Sequence, residues 1–168
     1  MTNIAMQEDQ TMAGYLTVDA IYKDGTKVNI FQDDPNLIVR KAKRKMLTFL
    51  YDDTAVPDIL KRFKVGVGGT MDPEGKRPLR PESSMSNLYI PVAVNHSDIS
   101  IIPSTPNDPT DHILVVFSLN QDEGNDLGIN EVGLFTESGE MFNIKTFRSI
   151  PKNESFSLQF SWKIVFYA

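Results

Sequence analysis

The sequence predicts a mainly β protein, an antiparallel β-sandwich carrying one inserted amphipathic α-helix at about residues 35–51. Three observations lead there. Phe156, Leu158, Phe160, Trp162, Ile164 and Phe166 alternate along the final segment, the period-2 pattern of a strand with one buried face. Other short apolar runs are separated by turn signals, among them Asp24-Gly25, Asp122–Gly128 and Ser138-Gly139, which favours a sandwich or partly closed barrel. A single stretch, Leu37 to Leu50, repeats its apolar residues at helical spacing.

The elements follow in order. Leu16, Val18, Ala20 and Tyr22 alternate within Tyr15–Tyr22, a strand, and Asp24-Gly25 suits a type I′ turn into a returning strand at Lys27–Phe31. Asp33-Asp34-Pro35 reads as a helix start, because Asp accepts free first-turn N–H groups and Pro lacks one to leave orphaned. Leu37, Ile38, Ala42, Met46, Leu47 and Leu50 then form the apolar stripe, with Arg40, Lys41, Lys43, Arg44 and Lys45 around the rest. Phe63, Val65 and Val67 alternate into a glycine turn at Gly68-Gly69, where positive φ is the expected use of glycine. Residues 70–86, with Pro73, Pro78 and Pro81, form the longest irregular loop. Strands are expected at Asn87–Val94, Asp98–Ile102, His112–Leu119, Ile129–Thr136, Met141–Phe147 and Phe156–Tyr167.

A chain of 168 residues suits one domain, here a flexible acidic arm over residues 1–14 and a sandwich over 15–168. Apolar residues at 40% and charged residues at 23% are ordinary for a globular core. The absence of cysteine excludes disulfides and thiolate metal sites. No apolar run approaches the ~20 residues of a membrane-spanning helix, and Met1–Gln10 lacks a signal-peptide core. A net charge of −5 opposes nonspecific nucleic-acid binding as the main activity. Acidic residues dominate positions 1–34 and basic ones follow at once, so arm and helix could pair within the chain or between subunits.

Chemistry-bearing constellations are sparse. His96 and His112, with Asp98, Asp108 and Asp111 nearby, could form a metal site or general base, but their spacing matches no ligand pattern. Gly66-Val67-Gly68-Gly69-Thr70 is followed by Asp72-Pro73-Glu74 rather than the Lys and Ser/Thr of a phosphate loop. No nucleophile elbow occurs. Asp33-Asp34, Asp52-Asp53 and Asp122-Glu123 read as caps, turns or solvated surface rather than glycosidase pairs. Glu131 stands inside a strand, either on its outward face or fixing a loop or a neighbouring subunit by a salt bridge.

Residues 59–168 resemble a module of tailed-bacteriophage collar and tail-fibre proteins. The resemblance rests on Phe63-Lys64-Val65-Gly66-Val67-Gly68-Gly69-Thr70, Pro78-Leu79-Arg80-Pro81-Glu82 and Asn87–Val92. Its most distinctive part is Ile129-Asn130-Glu131-Val132-Gly133-Leu134-Phe135, then the Glu137-Ser138-Gly139 turn and Met141–Phe147. Ile150-Pro151-Lys152 with Phe156–Phe166 is similar to the module's closing strand, and Asn36–Leu50 to the helix that leads into it. Fibre proteins carry the module at the start of a much longer chain, so the expectation here is a collar, neck or baseplate adaptor rather than a receptor binder.

The resemblance implies a virion structural protein without catalysis, synthesised in the host cytoplasm, with no catalytic residue, cofactor or metal. Its expected partners are copies of itself in a ring-like homo-oligomer and other virion proteins, with no membrane and no direct DNA contact. Candidate inter-subunit contacts are Glu131, Arg40, Lys41, Arg44, Pro73, Pro78 and Pro81. The arm and the proline-rich loop are expected to order on assembly. The rivals are a capsid-decoration or carbohydrate-binding β-sandwich and, in another class, a small metal-dependent hydrolase built around His96 and His112.

Overall fold

The computed structural model describes residues 12–167. Two antiparallel sheets face one another. The first contains β1 (Met12–Tyr22), β2 (Lys27–Pro35), β5 (Ser100–Pro103), β6 (Asp111–Leu119) and β9 (Phe156–Phe166), in the order β2-β1-β9-β6-β5. The second contains β3 (Leu37–Ile38), β4 (Leu60–Gly66), β7 (Leu127–Thr136) and β8 (Met141–Lys152), in the order β3-β8-β7-β4. The helix α1 (Arg40–Thr48) follows β3. This is the predicted sandwich with one helix.

Alternation in β9 has the predicted consequence. Phe156, Leu158, Phe160, Trp162 and Ile164 are buried, and only Phe166, at the end, is exposed. Phe117 from β6 stacks on Phe160 with centroids 5.0 Å apart, and Phe63 from β4 stacks on Phe117 at 4.5 Å, joining the two sheets through their aromatic rings. Offset stacks add to the area term that dominates core stability. Trp162 is fully buried, and its indole N–H donates to Asn36 Oδ1 at 2.9 Å.

Several boundaries differ from expectation. β1 begins at Met12, so residues 12–14, expected in the flexible arm, are strand. Residues 1–11 of that arm lie outside the described residues. The first turn has a three-residue loop rather than type I′. Gly25 N–H donates to Tyr22 O at 2.9 Å and Tyr22 N–H to Thr26 O at 2.9 Å, with Gly25 alone at positive φ (87°).

The helix is the largest correction. Residues 35–51 were expected, but α1 spans Arg40–Thr48, nine residues. Asp33-Asp34-Pro35 completes β2 instead, with Asp33 in a bulge at φ 51° and its N–H donated to Thr17 Oγ1 at 3.0 Å. Pro35 is tolerated because β2 is an edge strand. Leu37 and Ile38 cross to the second sheet and pair with Ile144 and Asn143. Val39 caps the helix without a side-chain hydrogen bond. Its N–H donates to Phe142 O at 3.0 Å, and Arg40 N–H to Ser83 O at 2.9 Å.

The segment between β4 and β5 contains no regular strand. Asn87–Val94, expected as one, runs beside β4 but makes only scattered bonds, such as Val92 N–H to Val65 O at 3.0 Å. Pro91, which has no N–H to donate, sits opposite Gly66 and interrupts the ladder. The 70–86 loop is tied to the sandwich and to itself by hydrogen bonds. Leu79 N–H donates to Gly69 O and Ser149 N–H to Gly75 O, both at 2.8 Å, and Asp72 accepts the Lys76 and Arg77 amides.

Candidate assembly surface

Strand pairing defines two ends of the sandwich. Met12 and Asp111 pair with Phe166 at one end, while Tyr22 pairs with Phe156 and Leu119 with Leu158 toward the other. The first is the helix end, since Ala42, Met46 and Phe49 share a cavity there with Ile113, Ile164 and Phe166. The second is the hairpin end, with the β1–β2, β6–β7 and β8–β9 turns.

A nine-residue helix is too short to persist alone, because nucleation costs more than so few hydrogen bonds return. It has no acidic residue in its first turn, and Arg40 and Lys41 oppose the helix dipole there. Tertiary contacts therefore hold it. Ala42 is buried against the sandwich, and Lys45 donates to Asp58 and, at 3.1 Å, to Glu140. Lys41 pairs with Glu140 at 2.8 Å. These carboxylates partner the basic helix among the described residues, and the expected pairing with residues 1–11 of the arm lies outside them.

Asp58 organises the junction. It accepts from Lys45 Nζ, from Thr136 Oγ1 at 2.8 Å and from the Ser138 N–H at 3.0 Å. Burial pushes its carboxyl up, but the bonds from Lys45, Ser138 and Thr136 outweigh that and hold it well below the usual carboxylate range. The same bond with Asp58 raises Lys45, against the opposing effect of burial, and the bonds from Lys41 and Lys45 lower Glu140.

What the helix does not bury is equally specific. Leu50 is 82% exposed, Tyr51 78% and Val56 76%, and Leu47, Phe49, Ile59, Phe166 and Tyr167 are exposed too. Lys41, Arg44, Leu47 and Tyr51 line one shallow depression, so the basic and apolar groups share a surface. Single exposed apolar residues are ordinary, whereas here several large ones are exposed within one short stretch of chain. Arg40, Lys43 and Arg44 form no salt bridge among the described residues. Arg40, Lys41 and Arg44, expected as contacts, are exposed, and sequence reasoning passed over the exposed 49–59 apolar stretch. Its signal was there in Phe49, Leu50, Tyr51, Val56 and Ile59, several of them counted in the helix stripe or passed over as connector.

Glu131 lies elsewhere. It is 0% exposed, and its carboxylate accepts three backbone amides: Gly68 at 3.1 Å, Tyr89 at 2.8 Å and Ile90 at 2.7 Å. It fixes a loop, as one of its readings expected, but with amides rather than a salt bridge, and it has no exposed surface in this chain to offer a neighbour. Asn130 beside it accepts the Gly69 amide at 2.7 Å and donates to Val67 O at 3.2 Å and Ser149 Oγ at 3.0 Å. The neighbouring glycines answer this close approach. Gly66, Gly68 and Gly69 are not at positive φ, contrary to expectation, and a Cβ on Gly69 would sit 2.3 Å from Asn130 O.

The proline candidates separate. Pro78 and Pro81 line a side groove of about 480 Å³ with Leu37, Leu79, Arg80 and Arg148, whereas Pro73 lies at the exposed tip of its loop. The histidines lie at opposite ends of β6. His96 Nε2 is 3.2 Å from Glu123 Oε1 at the hairpin end, and His112, pairing with Val165, hydrogen-bonds Thr110 at the helix end. No cluster of three His, Cys, Asp or Glu side chains suited to a metal ion occurs among the described residues. At the hairpin end a buried Lys152 donates to Gln121 O, Asn125 Oδ1 and Asn153 O at 3.2, 2.9 and 2.8 Å and so ties the β6–β7 loop to the β8–β9 turn. Burial pushes this ammonium down, with Glu123 and Asp122 opposing. No helix among the described residues is long and apolar enough to cross a membrane. No known protein family matches the chain, and neither does any curated protein or solved structure.

Proposed function

We propose that this protein is a non-catalytic structural component of a tailed-phage particle, a collar, neck or baseplate adaptor that works by docking to copies of itself and to other virion proteins. The observation that carries the assembly part is the helix end. Leu47 on the helix and large apolar side chains from Phe49 to Ile59 in the irregular stretch that follows it stand exposed, Leu47 and Tyr51 beside Lys41 and Arg44, and Asp58 and Glu140 hold the helix through Lys45 and Lys41. A preorganised apolar patch with a charged rim is what a protein–protein interface requires. The phage part draws on the sequence resemblance. Asn130-Glu131, from its most distinctive stretch, forms one buried hydrogen-bonded unit with Gly68 and Gly69, from another of its segments.

The cavity beneath the helix, about 220 Å³ and mostly apolar, falls below the ~300 Å³ at which small-molecule pockets begin, so a protein side chain suits it better than a ligand. The test is solution mass by light scattering, with negative-stain imaging of the same fractions. Defined multi-subunit particles are the expected result, and a strict monomer at high concentration would overturn self-assembly. Mass spectrometry of purified particles from the source phage tests the virion assignment, which fails if the chain is missing from them.

A further inference from the structure

The hairpin end brings an amine, a carboxamide and a carboxylate together out of water. Lys152, the last residue of β8, is 2% exposed, and its Nζ lies 2.9 Å from Asn125 Oδ1. Asn125 presents this oxygen rather than its nitrogen to the amine, because its Nδ2 donates to Gln121 O at 2.9 Å. Gln121 O and Asn153 O, at 3.2 and 2.8 Å, hold Nζ in place, and the Phe156 ring lies 5.5 Å from it. Glu123, two residues before Asn125, is 3% exposed. Its Oε1 accepts from Asn120 Nδ2 at 3.1 Å and faces His96 Nε2 at 3.2 Å, while Oε2 is buried with no hydrogen-bond partner among the described residues. Burial of Lys152 lowers its pKa, against Glu123 and Asp122, and so enlarges the share of neutral amine. A desolvated Lys is an activated nucleophile. Bonded to Asn125 Oδ1 is an acyl carbon whose leaving group, Nδ2, can depart without breaking the chain.

We propose that Lys152 and Asn125 join in an intramolecular isopeptide bond. Neutral Nζ attacks Asn125 Cγ, the Nζ–Cγ bond forms, and the Cγ–Nδ2 bond breaks. Nδ2 leaves as ammonia, carrying the one proton that Nζ gives up, and nothing is oxidised or reduced. Glu123, with Oε2 uncommitted, is the carboxylate free to pass that proton. Fixed geometry makes such a sluggish reaction feasible, because the two groups are held together and oriented by the fold. The bond ties the β6–β7 loop to the end of β8 across 27 positions and encloses the β7–β8 hairpin. It constrains the unfolded chain as a disulfide does, in a sequence that has no cysteine.

Intact mass spectrometry of the full chain tests this. Folded wild type, incubated at neutral pH, should be lighter than its sequence mass by one ammonia, about 17 Da. Protease digestion should then yield a branched peptide joining Asn125 to Lys152. Lys152→Arg, which keeps a cation in the carbonyl cage, should stay at full mass. Cyclisation of Asn125 onto its own backbone releases the same ammonia. A lighter Lys152→Arg variant, or a lighter wild type without the branched peptide, would therefore overturn the isopeptide. So would a wild type at full mass, an outcome that requires no variant to fold. Glu123→Gln should keep the circular dichroism spectrum and form the bond roughly a hundredfold more slowly, timed by mass after cell-free synthesis, with Glu123→Asp recovering part of the rate. Equal rates in all three would remove Glu123 from the proton transfer and leave the bond itself standing.

Discussion

Glu131 Oε2 accepts the Tyr89 N–H at 2.8 Å although the residues lie 42 positions apart, and through this bond and those to Gly68 and Ile90 one carboxylate anchors both limbs of the irregular segment after β4. An unsatisfied buried donor costs about 1–3 kcal/mol. Glu131→Ala should therefore lower stability by at least about 3 kcal/mol in urea unfolding, and Glu131→Gln, which keeps one acceptor oxygen, by less. Hydrogen exchange at the Tyr89 and Ile90 amides should quicken in both. Variants within about 0.5 kcal/mol of wild type would show that the carboxylate is not the anchor.

The Asp58 junction has a pH signature. Its folded-state pKa is depressed, so its contribution is complete above the unfolded value of about 3.9 and is lost as pH falls below that toward the folded value. Asp58→Asn should cost on the order of 2 kcal/mol at neutral pH by weakening charged hydrogen bonds. The gap between wild type and variant should narrow steadily below about pH 4. A gap constant from pH 6 to pH 2 would contradict an ionised, bonded Asp58.

Gly69 has no room for a side chain, because a Cβ would meet Asn130 O at 2.3 Å and Glu131 Cβ at 3.0 Å, on packed backbone and a buried residue. Gly69→Ala should destabilise by more than about 1 kcal/mol and loosen the Asn130 bond to the same residue. Gly25→Asn, at a left-handed position with nothing within 4 Å, should cost little by comparison. Equal melting temperatures for the two variants would refute the crowding argument.

Phe117 lies between Phe63 and Phe160, so Phe117→Ala opens a cavity at the join of the sheets and should cost about 3–5 kcal/mol. Trp162, the only tryptophan, reports on the same core, and its emission should shift to the red with unfolding in one transition coincident with far-ultraviolet circular dichroism. Two separated transitions would mean that the sheets unfold independently.

Legibility varied with the range of the forces involved. Period-2 alternation in Phe156–Phe166 placed β9 within a residue, because each side chain's face follows from its own backbone. Asp33-Asp34-Pro35 misled for the converse reason. Its local helix-start chemistry competed with strand pairing to Tyr15 and Leu16, and the pairing prevailed. Glu131 could be flagged as an uncomfortable charge within a strand, but its three partners, 41 to 63 residues away, carry no local mark.

The sequence by itself determined the fold class, the strands with clear alternation, the basic character of the helix and the lack of disulfides and thiolate sites, all consequences of composition and short-range periodicity. Tertiary structure alone decided where the helix begins, that Lys41 and Lys45 are tied to Glu140 and Asp58 while Arg40 and Arg44 face outward, and that the apolar stretch after the helix stays exposed. It also set the Lys152 amine against the Asn125 side chain, 27 positions away. Those outcomes depend on which distant segments come into contact when two sheets close over one core, and no window of adjacent residues contains that information.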